Sequence, residues 1–209
     1  PSRQCFGRFR DTQLLTYAFL HAGPIHLVSN LLFLLVFGSR VNALVGNLPM
    51  LFFYPLLAVL AGLAHHGAMQ PQAPAAMIGA SGAVMDLAGM YFVLMPMHKV
   101  HMAFWYRWTI FPRFFHLTLR FFAVRGFWVV LFYITFDVIY MSLGLRDNVA
   151  HWAHVGGFLS GVVLALVLLV MRAVNCRGGD LLTALLGPRA WPIIGRPDST
   201  RSSWIASVV

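Results

Sequence analysis

Five long apolar stretches constrain the fold of this 209-residue chain more than any other feature of its sequence. Each is close to the length of about 17–25 residues that a helix needs to cross the hydrocarbon core of a membrane. A backbone in lipid must satisfy its own polar groups, and the alternating pattern of a membrane barrel is absent, so helices are expected. A composition that is 59% hydrophobic and 10% charged agrees with this environment. The predicted fold is an all-α, polytopic transmembrane bundle with spans at residues 25–45, 49–66, 80–98, 126–144 and 150–172.

The basic residues predict which way the bundle faces. If the first span starts outside, the cytoplasmic segments and the span ends beside them hold eleven Lys and Arg residues, against four on the opposite side. Because positive charge accumulates on the cytoplasmic side, a cytoplasmic C-terminus is expected. The net charge of +9 is then explained by topology and anionic lipid, not by nucleic acid. The mixture of aromatic and Arg residues over 101–125 suits the lipid headgroup layer.

Three regions are expected along the chain. Residues 1–24 form an extracytoplasmic lead-in, residues 25–172 form the membrane core, and residues 173–209 form a mostly flexible cytoplasmic tail. The chain begins at Pro1, and we expect a further helix upstream to be missing. Cys5 and Cys176 fall on opposite sides of the membrane and cannot pair. No Cys/His spacing of the metal-binding type appears, so neither a metal nor a cofactor is predicted.

A histidine and an asparagine lie near the outer end of the first predicted span. His26 and Asn30 are four residues apart, so they share one helix face, and Pro24 suits the first turn of that helix. Such polar side chains are costly in a membrane unless they face the bundle interior or water. They are consistent either with an interhelical polar clamp or with two hydrogen-bond donors for a developing oxyanion.

A serine flanked by small residues opens the third predicted span, in the sequence Gly79-Ala80-Ser81-Gly82. Near a helix N-terminus, unpaired N–H groups and the helix dipole favour an adjacent negative charge. Glycines beside the serine let a substrate backbone come close, but small residues also permit tight helix packing without any catalysis. This motif alone leaves both interpretations open.

The last predicted span carries a candidate base for that serine. The segment Ala153-His154-Val155-Gly156-Gly157 runs into a GxxxG pattern that ends at Gly161 and lets another helix approach closely. A serine is a poor nucleophile unless a base removes its proton, and neutral imidazole is the usual base. His154 is favoured over His151, which lies one turn further out, at the expected water interface.

Two aspartates lie within the predicted spans, where a carboxylate usually has a function or a specific partner. Asp86 is five residues beyond Ser81, and it either tunes the site or makes a helix–helix hydrogen bond. Asp137 is expected to have a structural role. Residues 64–78, which include two histidines and two prolines, are expected to form a loop over the mouth of the site.

In this order and on separate spans, the three motifs resemble the rhomboid family of intramembrane serine proteases, over residues 12–172. The resemblance implies a six-helix core with a water-accessible cavity and a Ser–His dyad that requires no aspartate. By position, Ser81 is the nucleophile and His154 the general base and acid, held by packing such as stacking on an aromatic ring of Tyr91 or Trp152. The oxyanion hole is implied for His26 and Asn30, together with the backbone N–H groups of Ser81 and Gly79.

The resemblance further implies cleavage of transmembrane or membrane-anchored proteins near the outer membrane face. Expected partners are such substrates and membrane lipids, in a bacterial cytoplasmic membrane. One alternative is a rhomboid-like pseudoprotease that binds membrane clients without cutting them, and the intact Ser81 and His154 argue against it. Another is a transporter or channel, but repeated halves and broken helices are not evident.

Overall fold

The computed structural model describes residues 11–68, 77–111, 114–145 and 149–197, without the side chains of residues 102–120. Helices dominate the described chain, with one β-hairpin between them. In chain order the elements are α1 (Gln13–Thr16), a 3₁₀ turn (Tyr17–Phe19), α2 (Pro24–Phe33), a π-helical turn (Leu34–Gly38), α3 (Ser39–Val45), α4 (Asn47–Ala68), α5 (Ser81–Leu94), β1 (Lys99–Phe111), β2 (Phe114–Arg125), α6 (Gly126–Ser142), α7 (His151–Val170), α8 (Leu181–Leu186), a second 3₁₀ turn (Gly187–Ala190) and α9 (Trp191–Ile194).

Among the described residues, three helical segments are long and apolar enough to cross a membrane: Pro24–Val45, which runs through α2 and α3, then α4 and α7. Helices α5 and α6 are also apolar but shorter. These five segments correspond to the five predicted spans, and the helical-bundle prediction is confirmed. The chain is therefore an integral, multi-pass membrane protein.

Helix α5 is the centre of the bundle. It has 14 residues, so it is about 21 Å long, and nearly all of its side chains are buried, including Leu87, Met90 and Tyr91. Helices α4, α6 and α7 all pack against it. A helix that is hydrophobic all round either lies in lipid or is buried among other helices, and the burial of its side chains shows that α5 is surrounded by its neighbours. This position brings the residue at its first turn into the interior of the protein.

Glycines set the close approach of α5 and α7. A methyl group on Gly157 would lie 2.5 Å from the carbonyl oxygen of Gly82. A methyl group on Gly161 would lie 2.6 Å from the carbonyl carbon of Asp86. Real side chains do not approach a backbone so closely, so these positions require glycine if the two helices are to touch. The GxxxG pattern read in the sequence is thus a packing surface between these two helices.

The segment between α5 and α6 differs from the prediction. Helix α5 ends at Leu94 rather than near residue 98, and strands β1 and β2 then pair as an antiparallel hairpin, with Lys99 opposite Arg125. No strands are predicted there from the sequence. Aromatic and β-branched residues are enriched in strands, and over this segment they were interpreted only as a headgroup-layer composition.

The chain after α7 also carries structure that the expected flexible tail did not include. Asp180 is the N-cap of helix α8, and its carboxylate accepts a hydrogen bond from the Thr183 backbone N–H at 2.7 Å. The Arg172 guanidinium donates to the carbonyl oxygen of Pro192 at 3.0 Å, and Val174 and Ala190 are buried. The short helices between residues 181 and 194 therefore fold back on the bundle.

Candidate active site

A serine and a histidine from different helices meet at one end of the bundle. Ser81 is the first residue of α5, and His154 lies in the first turn of α7. The Nε2 atom of His154 is 2.9 Å from the Oγ atom of Ser81, across 73 residues of sequence. Because Gly157 has no side chain, α7 packs directly against the backbone of Gly82 in α5, which brings the two helix ends close enough for this contact. The geometry is that of a hydroxyl placed to give its proton to an imidazole.

A buried carboxylate holds the other side of the His154 ring. The Nδ1 atom of His154 lies 3.2 and 3.1 Å from the two carboxylate oxygens of Asp137, on α6. An ionised carboxylate only accepts hydrogen bonds, so Nδ1 carries the proton and Nε2 keeps its lone pair toward Ser81. Serine, histidine and aspartate thus form one hydrogen-bonded chain across three helices.

This arrangement differs from the sequence prediction, which gave Asp137 a structural role and left His154 to aromatic stacking. Of the two proposed rings, Tyr91 donates its hydroxyl to the carbonyl oxygen of His98, beyond the far end of α5. Trp152 is about half exposed. The signal available in the sequence was an aspartate inside an apolar span, but nothing in the spacing relates residue 137 to residue 154.

A second histidine shares the same carboxylate. The Nδ1 atom of His151 lies 2.6 Å from Oδ1 of Asp137, and its ring lies 5.1 Å from that of Tyr140. Only 9% of His151 is exposed, so the expectation that it lies at the water interface is wrong. Asp137 therefore accepts hydrogen bonds from two imidazoles, which compensate part of the cost of burying its charge.

Two polar side chains of α2 face the segment just before Ser81. The backbone N–H of Ala22 donates to Nδ1 of His26 at 3.3 Å, which leaves the proton of that ring on Nε2. A methyl group on Gly79 would lie 2.7 Å from this Nε2 atom and 3.5 Å from Nδ2 of Asn30. The Asn30 Nδ2 group is buried and has no hydrogen-bond partner among the described residues. Both donors therefore lie beside the serine motif, next to the backbone of Gly79, which has no side chain to separate them from it.

Gly79 itself has a different role from the one expected. Its backbone N–H donates to the carbonyl oxygen of Tyr17 at 3.0 Å, so this N–H group is not available to an oxyanion. Its φ of +110° lies in a region that L side chains rarely adopt. Gly79 shapes the turn into α5 and leaves space for His26, whereas the free N–H groups at the start of α5 remain as donors.

Asp86 lies deeper on α5 and is fully buried. The hydroxyl of Ser160, on α7, donates to its Oδ1 atom. Of the two roles predicted for Asp86, the structure contains the helix–helix hydrogen bond. This bond lies beside Gly157 and Gly161 and adds to the pairing of α5 with α7.

The expected loop over the site is only partly described. Helix α4 continues to Ala68, so the histidines His65 and His66 belong to its last turn rather than to a loop. His65 is buried, and the structure does not describe residues 69–76, which contain both prolines of the predicted loop. The proposed covering of the site by this loop therefore lies largely outside the described residues.

Comparison with known proteins relates this geometry to a family. A family model, the Rhomboid domain, matches residues 9–171. RHOMBOID-like protein 2 of Arabidopsis thaliana is 30% identical over 158 residues, which cover 76% of this chain and 42% of that protein. RHOMBOID-like protein 6, mitochondrial, of the same plant is 28% identical, with 76% and 44% covered. The chain thus spans less than half the length of these relatives, and no solved structure matches it.

Proposed function

This chain belongs to the rhomboid family, and we propose that it is an intramembrane serine endopeptidase. Its substrates are transmembrane or membrane-anchored proteins, which it cuts near the outer membrane face. The observation that carries this proposal is the 2.9 Å contact between Ser81 Oγ and His154 Nε2. The contact joins two helices that only glycine allows to approach, and each of its partners is a residue singled out by the motifs.

The proposed reaction uses the hydrogen-bonded chain of Ser81, His154 and Asp137. Ser81 Oγ attacks the carbonyl carbon of the scissile peptide bond while Nε2 of His154 takes the hydroxyl proton. The Asp137 carboxylate stabilises the imidazolium that forms and keeps the ring in the required orientation. The imidazolium then gives the proton to the leaving amine nitrogen as the C–N bond breaks. Water, activated by the same imidazole, hydrolyses the acyl-enzyme and restores Ser81.

The donors beside Gly79 support the same proposal. Attack on the carbonyl places a negative charge on its oxygen, and the N–H groups at Nε2 of His26 and Nδ2 of Asn30 can donate hydrogen bonds to it. Fixed donors in a site of low dielectric are effective because they need no reorganisation as the charge develops, and one such donor is worth about 3–4 kcal/mol. The positive end of the α5 dipole adds to this stabilisation.

The orientation is part of the proposal. Helices α2, α5 and α7 all begin at the end of the bundle that holds Asn30, Ser81 and His154. Lys99 and Arg172 follow the opposite ends of α5 and α7, and the positive-inside rule assigns such basic segments to the cytoplasm. The site then faces the outer side, with the C-terminus in the cytoplasm. A bacterial cytoplasmic membrane is the proposed location.

Cleavage of a model transmembrane substrate in reconstituted vesicles tests the function. The wild-type protein is expected to cut the substrate, and Ser81→Ala and His154→Ala to lose activity. Ser142→Ala is the matched control, because that exposed hydroxyl donates to the carbonyl oxygen of Ile139 within its own helix. A version extended upstream runs in parallel, because its activity alone would mean that a further helix is required.

Labelling with a fluorophosphonate gives an independent answer. An activated serine reacts with this probe without any protein substrate, so labelling that depends on Ser81 and His154 supports the protease. Absence of both labelling and cleavage in the original and the extended versions would refute the proposal. A client pull-down that survives Ser81→Ala would then favour the binding protein that does not cut.

A further inference from the structure

His151 is a buried group at the site for which the proposed reaction has no use. The reaction needs one imidazole between Ser81 and Asp137, and His154 supplies it. His151 nevertheless directs its Nδ1 atom at the same carboxylate, from a position three residues earlier on α7. Residues three apart share a helix face, so α7 presents two imidazoles side by side to one aspartate of α6.

The three side chains have the composition and spacing of a metal site. The candidate ligand atoms of Asp137, His151 and His154 all lie within 4.8 Å of one another. A tetrahedral zinc ion bound at about 2.0–2.2 Å holds its ligand atoms roughly 3.4 Å apart. The His151–Asp137 and His154–Asp137 separations are 2.6 and 3.1 Å. Small side-chain shifts therefore suffice to place an ion between the ligands.

The electrostatics of the cluster favour a cation as well. Asp137 is only 6% exposed, and with both imidazoles neutral the buried cluster carries a net negative charge. A buried charge of this kind is unfavourable unless it is compensated. Two imidazoles and one carboxylate suit Zn²⁺, Co²⁺ and similar transition ions, whereas Mg²⁺ and Ca²⁺ prefer sites made of oxygen alone.

We propose that Asp137, His151 and His154 bind a divalent transition-metal ion reversibly, with Zn²⁺ as the best fit, and that the bound ion switches the protease off. The regulatory half of this proposal rests on the proposed function; the binding site does not. No metal site is predicted from the sequence, because no metal-binding spacing lies within a single segment. The ligand set is completed only when α6 and α7 pack together.

The inhibition follows from which nitrogen the ion occupies. An ion bound at Nδ1 of His154 displaces the proton through which this nitrogen donates its hydrogen bond to Asp137, and the neutral ring then carries that proton on Nε2. Nε2 then faces Ser81 as a donor and cannot accept the hydroxyl proton. No proton is released overall, and no bond other than the coordination bonds is formed. Removal of the ion restores the original tautomer.

The binding test uses protein that cannot cleave anything. Ser81→Ala protein with residues 1–209 and no polyhistidine tag is titrated in detergent with Co²⁺ and followed by its visible absorption, and Zn²⁺ then displaces the Co²⁺. His151→Gln and Asp137→Asn are each expected to weaken Zn²⁺ binding by at least about tenfold, because even the loss of an outer-shell contact costs this much. His98→Gln is the control, because that exposed histidine lies beyond the other end of α5.

A spectroscopic measurement keeps the test decisive if the variants fold poorly. X-ray absorption of zinc-loaded Ser81→Ala protein is expected to show a shell of nitrogen and oxygen atoms with scattering from two imidazoles. Lack of binding, equal Zn²⁺ affinity in the His151→Gln variant, or a shell without two imidazoles would overturn the proposed site.

The activity arm separates regulation from function. Zn²⁺ is expected to inhibit cleavage by the wild-type protein, a chelator to restore it, and Mg²⁺ to have no effect. For His151→Gln, the ratio of the rates with and without Zn²⁺ is expected to approach one. Zinc bound at the cluster without any inhibition would refute the switch. Zinc binding in a protein that never cleaves a substrate would instead refute the proposed function and still support the proposed metal site.

Discussion

The substitution Gly161→Ala tests whether the contact between α5 and α7 controls the chemistry at a distance. Gly161 lies two turns beyond His154 on α7 and touches neither member of the Ser–His pair in the proposed reaction. Its added methyl carbon would lie 2.6 Å from the carbonyl carbon of Asp86 and overlap the carbonyl oxygen. Non-bonded carbon atoms prefer about 3.5–4.0 Å. The two helices must therefore separate by about 1 Å.

A displacement of about 1 Å has a large effect on the hydrogen bond at the site and a small effect on the stability of the fold. An opening of about 1 Å stretches the Ser81–His154 contact of 2.9 Å beyond hydrogen-bond range, and a misplacement of this size costs about 10²-fold in rate. Overpacking typically destabilises by about 1–3 kcal/mol, but replacing glycine by alanine within a helix returns up to about 1 kcal/mol. We expect a folded protein with a strongly reduced kcat.

The assay is cleavage of a reconstituted transmembrane substrate, with thermal unfolding of the same preparation. Gly67→Ala is the matched control, because a methyl group on this glycine of α4 would meet no atom within 4 Å. Gly161→Ala is expected to lose about 99% of its kcat with a modest fall in Tm, and Gly67→Ala to retain both. Near wild-type cleavage by Gly161→Ala would refute the reasoning that glycine contacts set the Ser–His distance.

Three further predictions follow from individual side chains. Asp137→Asn is expected to lower kcat by roughly 10²–10⁴-fold with little change in KM, because the base loses its orienting carboxylate. Michaelis analysis of this variant checks the prediction, with Asp86→Asn as the control that removes a buried carboxylate elsewhere. Asn30→Ala is expected to lower kcat by about 10²–10³-fold, as for the loss of one oxyanion donor. The access of the fluorophosphonate probe to Ser81 is expected to be unchanged. Burial, with a smaller effect of the nearby Asp180 carboxylate, raises the pKa of the Cys176 thiol to about 12. Because only the thiolate reacts, maleimide labelling of Cys176 at pH 8 in a Cys5→Ser background is expected to be at least about 100-fold slower than for a free cysteine. The labelling rate is expected to increase as the pH rises or when the protein is denatured. Rapid labelling of the folded protein at pH 8 would contradict this prediction.

The candidate site was predictable where chemistry and chain pattern coincide. Ser81 and His154 lie in small-residue motifs at the starts of apolar segments. The sequence therefore indicates both the nucleophile and the choice of His154 over His151. Asp137 stands out as an aspartate in a span, but the sequence does not reveal its partner, because it leaves open which faces of the two helices meet. The Gly79 N–H was misassigned because its partner, the carbonyl oxygen of Tyr17, comes from a segment 62 residues earlier.

The hairpin over residues 99–125 likewise could not be predicted from local sequence. Its aromatic and basic residues fit both a strand pair and the headgroup layer, and local composition does not separate the two. The pairing of Lys99 with Arg125 is a contact between distant residues. By contrast, the spans followed directly from hydropathy, because the bilayer imposes length and composition on each helix separately.

The sequence by itself determined that this chain lies in a membrane, that its fold is a helical bundle, and which residues are able to act as nucleophile and base. These properties depend on the solvent and on side-chain chemistry, which are local. Only the tertiary structure decided that Asp137 holds His154, that His151 shares the same carboxylate, and that two donors of α2 face Gly79. Such relations are distances of about 3 Å between helices. They depend on how whole helices pack, and no pattern within a single segment records them.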